Sequence, residues 1–344
     1  MEQPQFKVQV FCMTFNQAPY VIETLNGFCM QQTMFPFICT IFDDCSTDGE
    51  HEVIRQFLQD NFDLDDKSVV RNEETDDYVM TFARHKTNEK CFFAAYYLKY
   101  NHYSIGKNNR KNEYCKGFVE QTPYVALCEG DDYWTDPFKL KKQVEYLDLH
   151  PECGLVYTNA IVLNQATGEF SRVSFPHQSD FENLLLGSTI ITLTTCFRKV
   201  LFCSYYREIR IDPSWLMGDL PLWLYISEKG PIKYLSDNTG VYRVLENSAS
   251  HSADINKSIS FCLSSYQIRM FYAKYYNCQH LRKQICITHI NELIKISVSF
   301  DRSLSSYIAK MALNNRIVSP IIWMKVLLYS TSVGRRFHKR KYTK

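Results

Sequence analysis

The run Tyr124-Val125-Ala126-Leu127-Cys128, followed without a break by Glu129-Gly130-Asp131-Asp132, constrains this chain more than any other stretch. The apolar segment reads as a strand, and three carboxylates fall within four residues at its end. Crowding carboxylates out of water is unfavourable without a cation, and oxygen-rich ligand sets suit hard ions such as Mg²⁺ or Mn²⁺ that bridge to phosphates. Taken alone, the four residues also fit a solvated acidic turn.

Strand and helix signals alternate around this run. Residues 7–13 read as a buried strand, and Pro19 suits the first turn of a helix reaching to about residue 31. A second strand spans 37–42 and stops at Asp43-Asp44-Cys45-Ser46-Thr47-Asp48-Gly49-Glu50, where Thr47 and Glu50 have capping-box spacing. Further expectations are a strand at 68–71, a helix around 91–100, a loop at 106–116, a helix opened by Pro137 and a strand at 154–158. Beyond these, 189–197 is β-rich, 216–229 contains a helix, and strands are expected at 232–235 and 239–245. Ile259, Cys262, Tyr266 and Met270 have helical spacing, and another helix is expected near 287–298. This alternation predicts an α/β fold with a mostly parallel central sheet, helices on both faces and ligands at the carboxyl ends of the strands. Both acid-rich turns fall at such ends.

At 344 residues the chain suits one enlarged domain with an appendage, and 23 Tyr with 23 Phe argue for a folded protein. Such rings line sugar-binding clefts and also fill cores. The 13 Cys are scattered with no Cys-x-x-Cys pair, and Met1 leads into polar Glu2-Gln3-Pro4-Gln5. Reduced thiols, a cytoplasmic location and no structural zinc are the corresponding expectations. No apolar run reaches the ~20 residues that span a bilayer. A net charge of +2 conceals the end Arg335-Arg336-Phe337-His338-Lys339-Arg340-Lys341-Tyr342-Thr343-Lys344, which is basic without an acid and follows the apolar run Ile321-Ile322-Trp323-Met324-Lys325-Val326-Leu327-Leu328-Tyr329. This pairing suits peripheral contact of residues 317–344 with an anionic membrane on its cytoplasmic face, a frayed soluble tail being the other reading. Positive charge confined to one end argues against a nucleic-acid partner.

The stretch Tyr124-Val125-Ala126-Leu127-Cys128-Glu129-Gly130-Asp131-Asp132-Tyr133-Trp134-Thr135-Asp136-Pro137-Phe138-Lys139-Leu140, continuing to Lys142-Gln143 and Gly154-Leu155-Val156-Tyr157, resembles family 2 glycosyltransferases of the GT-A fold, in particular bacterial surface-polysaccharide members. Weaker correspondences are Thr14-Phe15-Asn16, the Asp43-to-Gly49 turn, Trp215-Leu216-Met217-Gly218-Asp219-Leu220-Pro221-Leu222-Trp223, and Tyr242-Arg243 with Ser248-Ala249-Ser250-His251. The resemblance covers roughly three quarters of the chain. It implies a GT-A domain at 1–254, with a donor half to about 135 and an acceptor half from about 136, and a helical extension at 255–344. The implied activity is inverting transfer of a sugar from a nucleotide diphosphate sugar to an acceptor hydroxyl in polysaccharide or lipopolysaccharide synthesis. The acceptor would be a saccharide or a lipid-linked saccharide. Mn²⁺ or Mg²⁺ would neutralise the departing diphosphate.

By its match to the last acid of the family's Asp-x-Asp motif, Asp131 is the implied metal ligand. Glu129 replaces the first Asp, a departure that leaves metal, ribose or neither as its contact. Asp132 is read as orienting the site or the donor sugar. Asp43 and Asp44 sit where the family binds base and ribose, with Thr14 and Asn16 lining the same pocket, although a carboxylate at a helix start also fits the dipole without a ligand. Asp219 matches the family's general base, and a helix cap is a compatible alternative. Arg243 would grip the diphosphate and His251 complete the metal shell. Trp134 and Trp223 could stack on sugars or pack the core. Two other functions remain open on sequence: a sugar nucleotidyltransferase, against which Thr14-Phe15-Asn16-Gln17-Ala18-Pro19 offers no glycine or positive charge, and a sugar-nucleotide-binding partner subunit without turnover.

Overall fold

The computed structural model describes residues 5–106, 110–172, 180–245, 254–296, 302–317 and 319–329. The chain divides into two compact units. The first comprises Met1–His177, Ile190–Tyr205 and Lys229–Arg243, and the second Gln178–Thr189, Tyr206–Glu228 and Val244–Lys344.

The first unit is built on a sheet of β1 (Val8–Thr14), β2 (Phe37–Asp43), β3 (Arg71–Glu74), β4 (Tyr78–Arg84), β5 (Cys91–Leu98), β6 (Tyr124–Leu127), β7 (Tyr133–Trp134), β8 (Leu155–Asn164), β9 (Glu169–Arg172), β10 (Thr195–Arg198) and β11 (Ile232–Val244). Their order is β3-β4-β5-β2-β1-β6-β10-β8-β11-β7, with β9 beside β8. The centre, β5-β2-β1-β6, is parallel throughout, and antiparallel strands extend it on both sides. Every residue of β2 and β5 is buried, as parallel strands covered on both faces require. The helices Val21–Cys29, Glu50–Asn61 and Lys139–Leu149 supply Val21, Leu25, Phe28, Ile54, Phe57, Leu140, Val144 and Leu147 to the core that these strands fill with Val8, Val10, Ile41 and Ala126. Each of the Val, Leu, Ile and Phe side chains among them contributes about 1.5–3 kcal/mol on full burial. The expected α/β architecture with a parallel centre and flanking helices is therefore the one adopted.

Several local expectations are corrected. Residues 91–100, expected to be helical, contain β5, because a fully buried strand shows a continuous apolar run that periodicity cannot separate from a buried helix. The strand expected at 68–71 lies at Arg71–Glu74, an exposed edge whose four polar residues carry no apolar signal. The expected loop at 106–116 includes the short helix Arg110–Tyr114. The two strands expected in 232–245 are one, β11. No capping box forms at Thr47: the helix cap is Gly49 at φ +91°, and Glu50 turns its carboxylate elsewhere.

Register places the site. Thr14 stands opposite Asp43, and Asp43 opposite Tyr97, so β1, β2 and β5 end flush. Beyond β6 the chain keeps company with β1, since Gly130 N–H donates to the Met13 carbonyl at 3.0 Å.

The second unit is helical. It contains Phe181–Leu185, Asp219–Lys229, Ile255–Tyr275, Arg282–Ile296, Arg302–Asn314 and Pro320–Tyr329. Asp254 caps the longest of these by accepting from Asn256 N–H at 2.8 Å. Cys262, Cys286, Ile290, Leu293, Ile308, Met311, Ile317 and Ile322 form its core. Among the described residues no helix is long and apolar enough to cross a membrane.

Candidate functional site

The acidic loop between β6 and β7 is held by contacts from distant parts of the first unit. The Thr24 hydroxyl, fully buried in the first helix, reaches the carbonyls of Gly130 at 2.9 Å and Asp132 at 2.6 Å. One turn later Gly27 lets the helix pass against β7, for a Cβ there would lie 2.8 Å from Trp134 N. Gly130 is needed for a similar reason, because a Cβ would collide with the Thr14 side chain. Trp134 is buried, stacks edge-on against Phe28 at 4.9 Å and donates to the Leu193 carbonyl at 2.9 Å. Trp223 is buried in the second unit. Both indoles are core residues.

Arg243, near the end of β11, clasps the loop. Its backbone N–H donates to Asp132 Oδ1 at 2.8 Å and its Nε to the Asp131 carbonyl at 2.7 Å. The remaining guanidinium nitrogens reach Gln165 at 2.9 Å and Glu23 at 2.7 Å. Tyr20 and Tyr133 flank the guanidinium, with ring centroids at 4.6 and 5.2 Å. Expected to hold diphosphate, Arg243 here commits its fork to protein acceptors and fixes the backbone on which Asp131 stands.

The acids themselves are partly withdrawn from water: Asp132 is buried, Asp131 and Glu129 half-buried. Burial raises the Asp131 carboxyl above its ordinary range, with the Arg243 charge opposing. Asp132 is raised further, by burial first and then by Asp131 and Glu129. Beneath the loop Lys139 is wholly buried, its Nζ 2.8 Å from Gln143 Oε1 and over the Trp134 ring at 4.2 Å. Burial lowers this lysine to about 8.

The second acidic turn adjoins the first through Glu50, which is fully buried and accepts from the Thr14 hydroxyl, from Gln17 N–H at 2.9 Å and from Ser46 Oγ at 2.8 Å. Asn16, at φ +56°, accepts from Thr47 N–H at 2.8 Å and donates its own N–H to Ser46 Oγ at 2.9 Å. Asp43 accepts from Ser46 N–H at 2.9 Å and lies 3.7 Å from His51 Nδ1, its carboxyl raised chiefly by burial. Asp44 accepts from His102 and Tyr103 N–H at 2.8 and 3.1 Å and pairs with buried Lys111 at 3.1 Å. Its carboxylate thereby fastens the segment after β5. Thr14, Asn16, Asp43, Asp44, Glu129, Asp131, Asp132 and Arg243 thus gather at the carboxyl ends of β1, β2 and β6, where open α/β sheets bind ligands.

S. aureus TarS in complex with UDP-GlcNAc superposes with a TM-score of 0.51 at 16% identity, over 90% of this chain and 89% of that one. The mannosyltransferase PcManGT from Pyrobaculum calidifontis, in complex with GDP-Man and Mn²⁺, gives 0.53 at 13% identity, over 99% and 88%. The chain has a glycosyltransferase fold. No family model matches the sequence. Uncharacterized proteins of Mycobacterium bovis and Mycobacterium tuberculosis are 28% identical over 250 residues, 72% of this chain. The chain spans 61% of the length of these relatives.

Asp219 belongs to the second unit. It opens the helix Asp219–Lys229 and accepts from Leu220 N–H at 2.7 Å, and Arg269 is within electrostatic reach. The turn before it is tied to the helix Ile255–Tyr275 by Leu216 N–H donating to Ser264 Oγ at 2.8 Å and by Trp215 edge-on to Phe271 at 5.2 Å. His251 and the basic segment 335–344 lie outside the described residues. Among the described residues no three His, Cys, Asp or Glu side chains converge as a ready-made metal centre.

Thr24, Glu23, Gln165, Glu50, His102 and Lys111 were not singled out by sequence as site residues. Thr24 had a usable signal, a hydroxyl among Val21, Leu25 and Phe28 on the buried face of its helix. Glu50 was legible only as part of a cap. Arg243 meets Asp131 and Glu23 across more than a hundred residues of sequence, a proximity that only the fold creates.

Proposed function

We propose that this chain is a glycosyltransferase that takes a sugar from a nucleotide diphosphate sugar and delivers it, with inversion, to an acceptor hydroxyl. The observation that carries this reading is the acidic loop Glu129–Asp132, clasped by Thr24 and Arg243 at the carboxyl end of the sheet beside the Asp43 turn. Relatives in fold bind UDP-GlcNAc and GDP-Man, which supports a nucleotide diphosphate sugar as donor. Asp43, with Thr14 and Asn16, is assigned to the nucleoside, a buried carboxyl being suited to accept from a base N–H or a ribose hydroxyl. Asp44 is assigned to the same pocket through the segment it fastens.

A divalent cation is part of this proposal, with Asp131 as its protein ligand, since no three ligating side chains converge among the described residues. Asp131 and Asp132 are both raised by burial, so a positive ion among them relieves a cost already present. Asp131 would hold Mn²⁺ or Mg²⁺, with Glu129 and Asp132 adding negative charge, and the ion when bound neutralises the leaving diphosphate. Arg243 orients the loop from behind. Asp219 is assigned as the base that takes the proton of the acceptor hydroxyl while its other oxygen keeps the helix start in place. A bacterial surface-polysaccharide role of family 2 type, with a saccharide or lipid-linked saccharide acceptor reached from the cytoplasmic face of the membrane, is the setting proposed for this chemistry.

The test is a transfer and hydrolysis screen across nucleotide sugars with Mn²⁺ present. Asp219→Asn should retain donor binding and lose turnover by two orders of magnitude or more, the range general bases supply. Full activity with a lowered melting temperature would reassign Asp219 to capping.

A further inference from the structure

Between the start of the helix Arg282–Ile296 and the end of the helix Arg302–Asn314 the second unit has an open cleft of about 310 Å³. His280, Arg282, Lys283 and Arg316 line it with Asn314 and Asn315, and no acid does. Arg282 is steadied by its Nε donating to Asn315 Oδ1 at 3.1 Å. Among the described residues Arg282, Lys283 and Arg316 pair with no carboxylate.

Arg316 is also in an unusual conformation. The helix Arg302–Asn314 ends with Ile317 N–H donating to the Ala312 carbonyl at 2.9 Å and Arg316 N–H to Leu313 at 3.0 Å, the double closure that glycine serves best. Here the left-handed position, at φ +51°, is an arginine. A guanidinium therefore occupies a backbone position that disfavours any side chain, at the rim of a cleft already crowded with positive charge.

The helices that precede and follow Arg316 in the chain carry exposed apolar side chains. Leu313 is 65% exposed, Ile321 61% and Met324 62%, while their neighbour Ile322 is 3% exposed and anchors the helix Pro320–Tyr329 in the core. Exposed cations and exposed aliphatic residues within one stretch of helices match an anionic membrane surface, in which phosphate meets the charges and the aliphatic groups enter the acyl boundary. We propose that this cleft is a phosphate-headgroup site that seats the second unit on an anionic phospholipid bilayer. The inference rests on the membrane-side setting proposed above and moves its main contact from the basic tail to Arg282, Lys283 and Arg316.

The experiment is co-sedimentation of the full chain with phosphatidylcholine vesicles, with and without phosphatidylglycerol. Binding should require phosphatidylglycerol and weaken about five-fold for each cation removed in Arg282→Gln, Lys283→Gln and Arg316→Gln. Arg316→Gly is the decisive variant: it suits the left-handed backbone, so the protein should melt no lower while vesicle binding falls. Leu313→Ser with Ile321→Ser and Met324→Ser should weaken binding at constant vesicle charge. Unchanged binding in Arg316→Gly and the three Gln variants, with loss on neutralising 335–344 instead, would overturn the cleft and leave the tail reading standing. Loss in neither set would overturn both. Complete displacement by inorganic phosphate, with no effect of the Ser substitutions, would identify a soluble phosphate site and overturn the membrane assignment.

Discussion

Arg243 Nε holds the carbonyl of Asp131, the very acid proposed to meet the donor's cation, while the Arg243 backbone N–H holds the neighbouring Asp132 carboxylate. Lysine cannot reproduce that geometry. Arg243→Lys should therefore weaken Mn²⁺-dependent nucleoside diphosphate affinity about ten- to a hundred-fold, as loss of outer partners does in metal sites. Calorimetry checks this, and a variant with intact affinity would show that the fork serves stability alone. Lys139 gives a test of a different kind. Its folded value, near 8, is below the ordinary 10.5, so the unfolded chain holds the extra proton between those values. The native state is penalised below about pH 8 and stability should rise toward pH 10.5. Denaturant titrations of Lys139→Met should show a flatter rise over that window. At this scale the sequence revealed the acids themselves and little of their support. Asp131, Asp132, Asp43 and Asp44 announce themselves by crowding, whereas Glu23, Thr24 and Gln165 acquire meaning only by contacts formed after folding.

Among the elements, the first helix packs directly against the backbone of β7. Gly27 faces the backbone of Trp134, with nitrogen and carbonyl both within 2.9 Å of where a Cβ would stand. Backbone cannot rotate aside as a side chain can. Gly27→Ala should thus cost about 1–3 kcal/mol by overpacking and displace the acidic loop, which a fall in both melting temperature and nucleotide affinity would reveal. Stability and affinity equal to the parent chain would mean that the helix yields freely. Elements with a two-sided or periodic apolar pattern were legible in advance: β1, β2, β6 and the helix Lys139–Leu149 appear close to where the sequence put them. β5 was misread because Cys91-Phe92-Phe93-Ala94-Ala95-Tyr96-Tyr97-Leu98 is apolar at every position and so carries no period. β3 was misplaced for the opposite reason, being exposed along its whole length.

For the molecule as a whole, one unit carries the strand-end site and the other carries Asp219 and the cationic cleft. The residue assigned to transfer is accordingly harder to read in the sequence than those assigned to the donor. The proposed donor residues are local to strand ends in a single sheet, whereas Asp219 opens a helix of the second unit and only Gly218 and Pro221 mark it in the sequence. The central claim is that the acidic loop binds a nucleoside diphosphate through a divalent ion held by Asp131. Titration of UDP and GDP into the full chain by calorimetry, with and without Mn²⁺, tests it most directly. The account predicts binding by at least one nucleotide that strengthens with Mn²⁺ and loses that enhancement in Asp131→Ala while the fold is kept. Binding that ignores both the ion and the substitution would contradict it.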